Sequence, residues 1–337
     1  KAQLMSGNPP VYDRQGLSLV DNDHQKFQKE GRLPHWRFKL IHEEVSWVDM
    51  VRGNCTYDMK SLSDPVIMRE DGRPIYTLAS VVDDIDHNIS HIIRGEDHVT
   101  NSAAQIQLFK ALGGKVPELG HLSLLAGSEG EGLSKRLGSL NLGELKQEGF
   151  ESITLSSLLA KIGTSDPMKV FINTDELIKD FDLSKFSRNT AKFDSNDLYI
   201  MNKKSIQFME FKEAKSRLTE IGLDINEEFW RTISGNLNKL NEARIWWDVV
   251  YGEIDPIIDN SNLIEKAIEF FPEKNLDNTS WGSWCKSISG NTDYKGRDLF
   301  ISLRKAITGF EYGPELSNLL PLIGKDKILS RMSGKKS

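Results

Sequence analysis

Five consecutive residues, Arg94-Gly95-Glu96-Asp97-His98, put one guanidinium, two carboxylates and one imidazole directly behind the apolar run Ile89 to Ile93. That run reads as a buried strand, and α/β folds bind their ligands just beyond the carboxyl ends of such strands. The cluster is therefore a candidate for holding an anion or moving a proton. The plain alternative is a strand-to-helix turn with its charges in water. A second candidate is the glycine-rich stretch Gly127 to Gly132, followed by Leu133-Ser134-Lys135-Arg136. It should be a mobile loop able to bring cations onto a charged ligand, or else a surface loop with incidental charges. It is not a Walker A loop: Gly127 and Gly132 have the spacing, but Leu133 stands where the motif needs Lys.

Other chemistry-bearing residues take plainer readings. His87, His91 and His121 have no partner His or Cys at ligand spacing and read as core or surface histidines. Cys55 and Cys285 lie far apart without a CxxC spacing, which argues against a disulfide framework and against a structural zinc site, and fits a reducing cytoplasm. Asp83-Asp84 reads as a solvated turn, and Trp246, Trp247, Trp281 and Trp284 read as core. No nucleophilic triad can be assembled from the sequence.

The elements that must position these groups follow from pattern. Residues up to Asn8-Pro9-Pro10 read as the tail of a helix, and a polar helical stretch runs on to Gly31. From His35 to Ile75, apolar and polar residues alternate between turns at Arg52-Gly53-Asn54 and Asp71-Gly72-Arg73-Pro74, which is short-strand chemistry. Tyr76 to Asp86 can form a helix. After the Arg94 cluster a helix should open near Thr100 or Asn101, both good capping types, and close at Gly113-Gly114. A strand is expected at Leu122 to Ala126. Strand, polar loop, helix, strand, loop is a piece of a parallel α/β sheet.

Beyond residue 141 the expectation is helix throughout, with apolar faces at Leu155/Leu158/Leu159/Ile162, at Trp230/Ile233/Leu237/Leu240, and at Leu263/Ala267/Ile268/Phe271 before Pro272.

Composition bounds the rest. The chain has 337 residues, enough for two or three compact units, with 38% hydrophobic and 27% charged residues and no apolar run of membrane-spanning length. A net charge of -6 opposes a surface that grips nucleic acid all over, though local basic patches remain open. The first residue is Lys rather than Met, so the start reads as a cut or an unseen segment.

In order, several segments resemble the signatures of bacterial-type glutamyl-tRNA synthetase, a class I aminoacyl-tRNA synthetase. They are Arg69 to Pro74 with Tyr76 to Asp84 (YTLASVVDD), His91 to His98 (HIIRGEDH) and Leu133 to Arg136. Leu303 to Gly309, Gly313 to Leu316 and Ile323 to Leu329 resemble that family's anticodon-binding helices. The resemblance implies a Rossmann-like α/β fold plus an α-helical part. Residues 1–75 would be the end of an inserted acceptor-binding domain, 76–140 the second half of the catalytic domain, 141–205 a stem-contact region and 206–337 a helical anticodon-binding domain.

It also implies roles. Tyr76 and Arg94, with Ser80 nearby, would hold L-glutamate, Arg94 facing the side-chain carboxylate. Asp97, Leu125, Leu133 and Lys135 would surround ATP, magnesium arriving with the ATP, and Lys135, flanked by Ser134 and Arg136, would stabilise charge on the phosphates. The partner would be tRNA(Glu), with tRNA(Gln) as the alternative for a paralogue, and a non-catalytic tRNA-binding protein as the rival from another class. A monomeric cytoplasmic enzyme away from membranes is expected.

Three departures stand out. Gly132 replaces the usual Lys, Tyr12-Asp13-Arg14-Gln15-Gly16 lacks the cysteine of zinc-binding versions, so no zinc is expected, and the His-Ile-Gly-His type motif is not in these residues. Residues 1–337 alone are therefore expected not to form the adenylate.

Overall fold

The computed structural model describes residues 11–127 and 141–337. Leu133, Ser134, Lys135 and Arg136 lie outside the described residues. The chain divides into two compact units. The first spans residues 1–133, 162–167 and 181–193, and the second spans 134–161, 168–180 and 194–337.

The first unit opens with helix α1 (Asp21–Lys29) and the short strand β1 (Trp36–Arg37). Strands β2 (Glu44–Asp49) and β3 (Gly53–Asp58) form an antiparallel hairpin, Glu44 opposite Asp58 and Asp49 opposite Gly53. β4 (Val66–Met68) returns to β1, and helix α2 (Tyr76–Asp86) follows. β5 (His91–Gly95), helix α3 (Val99–Ala111) and β6 (Glu118–Leu122) then make a strand-helix-strand unit whose two strands run parallel, with Arg94 in register with His121. β6 also pairs parallel with β2 at Asp49, giving a four-stranded sheet in the order β3-β2-β6-β5. Thus β2, β6 and β5 point the same way. Asp49, His121 and Arg94 all sit at or next to the carboxyl ends of their strands.

Helix α3 is buried from Ser102 through Phe109 because it is covered on two sides. Ala103, Ala104 and Ile106 pack with Val45, Leu40, Met59 and Leu119 of the sheet side. Leu108 and Phe109 pack with Val81 of α2. Each of the larger side chains (Val, Leu, Ile, Met, Phe) contributes about 1.5–3 kcal/mol of hydrophobic stabilisation, an upper estimate. Gln107 adds a two-way clamp, accepting from the Ile41 N–H at 2.8 Å and donating to the Ile41 carbonyl at 2.9 Å.

Several local expectations shift. The strand expected at Ile89 to Ile93 begins two residues later, because Asn88 turns left-handed (φ 51) after α2 and Ile89 still bonds back to Asp84. Glu96–His98 forms a 3-10 turn that leads into α3 at Val99, so neither Thr100 nor Asn101 is the cap. The single strand expected at Leu122 to Ala126 is two pieces: β6 ends at Leu122, and β7 (Leu125–Ala126) pairs with β8 (Ala191–Lys192) instead. β8 is itself an exception to helix throughout. Asp83 and Asp84 lie within α2 rather than in a turn.

The second unit is helical: α4 (Leu142–Glu148), α5 (Ser152–Lys161), α6 (Thr174–Asp180), α7 (Ser195–Phe208), α8 (Phe211–Glu220) and α9 (Glu227–Ile233) come first. α10 (Ala243–Val250), α11 (Ser261–Glu269), α12 (Ser280–Asn291), α13 (Gly296–Thr308), α14 (Leu316–Ile323) and α15 (Lys325–Met332) complete it. One core joins α7 through α15. Leu237 and Leu240 are buried in it although α9 has already ended, so their helical spacing with Trp230 reflects burial and not one continuous helix. Trp230 and Trp284 are buried with their indole N–H groups bonded to the carbonyls of Met209 (3.2 Å) and Ala267 (2.9 Å), as buried tryptophans require. No helix among the described residues is long and apolar enough to cross a membrane.

Candidate active site

Arg94 is the centre of the site. Its Nη2 donates to Ser102 Oγ (2.5 Å) and Gln105 Oε1 (2.7 Å), both on α3, and its Nη1 donates to the Tyr76 hydroxyl at 3.0 Å. Its Nε faces His121 Nε2 at 3.5 Å, across the strand register. Three of these partners are oxygens of uncharged side chains, and the fourth is a ring nitrogen of His121. Among the described residues no carboxylate lies within 4.0 Å of this guanidinium, so its charge is left for a ligand.

Tyr76 is half exposed and accepts from Arg94, which leaves its own O–H to donate outward beside the one uncommitted Nη1 hydrogen. Two donors side by side suit the two oxygens of a carboxylate. The ring of His98 stands 5.6 Å from that of Tyr76. Ser80 Oγ donates to the Tyr76 carbonyl (2.7 Å) and accepts from Gln105 Nε2 (2.8 Å), so it holds the Gln105 amide with its oxygen toward Arg94. Burial pushes the Asp84 carboxyl above its ordinary range. The positive charge of Arg94 pulls against this and Asp83 adds to it.

Behind Arg94 lies a group that sequence reasoning missed. Ser102 Oγ is 2.7 Å from His121 Nε2, and His121 Nδ1 is 2.5 Å from Asp49 Oδ2, all three side chains being buried. Asp49 Oδ1 accepts from the backbone N–H groups of Val51 (3.1 Å), Arg52 (3.0 Å) and His121 (3.1 Å). Burial pushes the Asp49 carboxyl up, but these bonds and the one from His121 outweigh it and hold it below the usual carboxylate range. Ser102 and Gln105, three apart on α3, share one helix face; that spacing was the one available signal. Of the two plain readings left open for His121, core or surface, its complete burial selects the core.

Asp97 lies in the 3-10 turn after β5, more than half exposed, and Leu125 begins β7. No hydrogen bond or ion pair among the described residues joins either of them to Arg94. Gly95 has no side chain to meet the Asp97 carboxylate, whose Oδ1 would stand 2.5 Å from an added Cβ. Arg52 pairs with Glu96 at 2.8 Å and ties the β2–β3 turn to the turn after β5. Arg14, where zinc-binding relatives are expected to carry cysteine nearby, makes a two-pronged bond to the buried Asp64 (2.8 and 2.8 Å). No group of three or more metal-binding side chains stands together among the described residues.

The crystal structure of a glutamate tRNA ligase from Elizabethkingia meningosepticum matches with a TM-score of 0.77 over 98% of this chain and 75% of its own, at 22% identity. A likeness at that identity establishes the fold, which is that of a class I synthetase with a mixed α/β sheet and a helical anticodon-binding domain. Residues 1–200 match the family described as "tRNA synthetases class I (E and Q), catalytic domain", and residues 258–334 match "Anticodon binding domain". Two curated relatives are named glutamate--tRNA ligase: one from Maricaulis maris, 45% identical over 99% of this chain and 75% of its own length, and one from Hyphomonas neptunium, 47% identical over 97% and 74%. The chain belongs to the class I tRNA synthetases for glutamate and glutamine.

Proposed function

We propose that this chain is the larger part of a glutamate--tRNA ligase, which activates L-glutamate with ATP and transfers it to tRNA. The observation that carries the reading within the family is Arg94: a guanidinium at the carboxyl end of β5, surrounded by neutral acceptors and next to an outward-facing tyrosine hydroxyl. Such a site attracts a side-chain carboxylate, and it turns away the glutamine amide, whose NH₂ would point donors at donors. Tyr76 and Arg94 would bind glutamate, and Ser80 would act through Gln105.

In this reading Asp97 and Leu125 flank ATP, and Leu133, Ser134, Lys135 and Arg136 supply the phosphate side. ATP arrives with magnesium, so the protein needs no metal site of its own, and no zinc is required. The glutamate α-carboxylate attacks the α-phosphorus, pyrophosphate leaves, and the terminal ribose hydroxyl of the tRNA attacks the adenylate. Lys135 would offset the charge that builds on the phosphates. Residues 1–75, 76–140, 141–205 and 206–337 would serve as the acceptor-side, catalytic, stem-contact and anticodon-binding parts. The enzyme would act as a cytoplasmic monomer.

The test is glutamate charging of purified tRNA(Glu) and tRNA(Gln) by the full-length enzyme and by Lys135→Ala. Charging of tRNA(Glu) that Lys135→Ala loses on the order of a hundredfold supports the reading. Charging of tRNA(Gln) alone would make it the paralogue, and tRNA binding without charging would make it a non-catalytic binder. Residues 1–337 by themselves should show no tRNA-dependent ATP-pyrophosphate exchange.

A further inference from the structure

We infer that Asp49, His121 and Ser102 are positioning residues for substrate selection: a one-way hydrogen-bond chain, started by a buried carboxylate, that holds the inner edge of Arg94 and so fixes where its remaining donor points. This rests on the reading of Arg94 as the glutamate-carboxylate binder.

The direction of the chain follows from counting donors and acceptors. Asp49 receives five bonds: three backbone N–H groups on Oδ1, and on Oδ2 His121 Nδ1 at 2.5 Å and the Trp47 indole at 3.3 Å. An oxygen pair so fully used as acceptor assigns the hydrogen to His121 Nδ1, and Nε2, which the Arg94 Nε–H faces at 3.5 Å, is assigned as the acceptor. Nε2 then takes the Ser102 hydroxyl hydrogen at 2.7 Å, which beats the alternative acceptor, the His98 carbonyl at 3.1 Å. The Ser102 oxygen is left with lone pairs only, and these face Arg94 Nη2 at 2.5 Å.

A second chain does the same from α2. The Tyr76 carbonyl fixes Ser80, Ser80 fixes the Gln105 amide, and Gln105 Oε1 receives the other Nη2 hydrogen. Both hydrogens of Nη2 are thereby committed inward. The outward-facing donor is on Nη1, beside Tyr76.

The chain also keeps the buried Asp49 carboxylate at least one imidazole away from the guanidinium. A direct Asp49–Arg94 pair would spend the charge internally, whereas the relay orients Arg94 without neutralising it. Ser102 is no nucleophile here, because it is buried and its oxygen is held by Arg94.

The experiment uses His121→Asn and His121→Gln in the full-length enzyme, because the two amides mimic opposite halves of the ring. Asn reaches Asp49 from the Nδ1 position but loses the acceptor for Ser102, whereas Gln keeps an acceptor near the Nε2 position but releases Asp49. The expected result is a crossing. His121→Asn keeps the melting temperature nearer wild type yet raises KM for glutamate about tenfold, with kcat and KM for ATP within about twofold. His121→Gln melts lower but keeps KM for glutamate within about threefold of wild type.

Ser102→Ala, a mild change within a helix, should raise KM for glutamate several-fold and decides the matter if either His121 variant fails to fold. If KM for glutamate simply follows melting temperature across the variants, or if Ser102→Ala leaves it unchanged, the three residues are structural and the inference is overturned. Arg94→Ala separates the two layers. If it leaves KM for glutamate unchanged, the binding role of Arg94 falls. If it raises that KM while the His121 and Ser102 variants do not, only the positioning role falls.

Discussion

The Tyr76 hydroxyl accepts a hydrogen bond from Arg94 Nη1 at 3.0 Å, joining the first residue of α2 to the end of β5. Because the tyrosine oxygen is used as an acceptor, its hydrogen is directed away from the guanidinium. The pair thus presents two adjacent donors and one positive charge on the exposed side.

Tyr76→Phe removes one of those donors and leaves the ring in place. KM for glutamate should rise about five- to tenfold, the equivalent of about 1 kcal/mol. Thermal stability should hardly change, since Tyr76 is 51% exposed. An unchanged KM for glutamate in steady-state charging would remove Tyr76 from the binding site.

The helical unit depends on a close approach at Gly313. Its φ is 140°, a conformation L side chains rarely adopt, and a Cβ there would stand 2.0 Å from the ring of the buried Trp246. Gly313→Ala should therefore destabilise this unit by about 3 kcal/mol from strain and overpacking together. Urea unfolding followed by tryptophan fluorescence reads this directly, and a loss below about 0.5 kcal/mol would contradict the packing.

Acid should weaken the same unit through Asp180. Hydrogen bonds from Lys161 and then Lys169 hold its carboxyl down to about 2, against an ordinary value of 3.8. A carboxyl lowered on folding stabilises the protein fully above its unfolded value, and that contribution disappears as pH falls from about 4 toward 2. Asp180→Asn should melt below wild type at pH 7, with the gap closing across that acid window. A gap that stays constant from pH 7 to pH 2.5 would show that the two lysine contacts contribute nothing through ionisation.

How much of this was legible in the sequence differs by element. The Arg94 cluster could be singled out as a candidate because its residues are contiguous and follow an apolar run, and Tyr76 because a family signature carries it. The helical second half followed from apolar periodicity. Asp49, Ser102 and His121 could not be found as a group: they are separated by up to 72 residues, and it is the parallel register of β5 with β6 and of β6 with β2 that brings them together. No local pattern encodes that pairing. The strand ends were misplaced for a similar reason, since Asn88 adopts a left-handed turn that composition alone does not announce.

Selection of glutamate for attachment to tRNA would rest on an unneutralised Arg94. Its most direct test offers labelled glutamate and labelled glutamine separately to the full-length enzyme with tRNA(Glu), and repeats both with Arg94→Leu. Charging with glutamate and not with glutamine is expected, together with a loss of kcat/KM for glutamate on the order of a hundredfold in Arg94→Leu, as for a lost charged hydrogen-bonding partner. Equal charging with both amino acids, or an Arg94→Leu enzyme that charges glutamate as well as the parent, would contradict it.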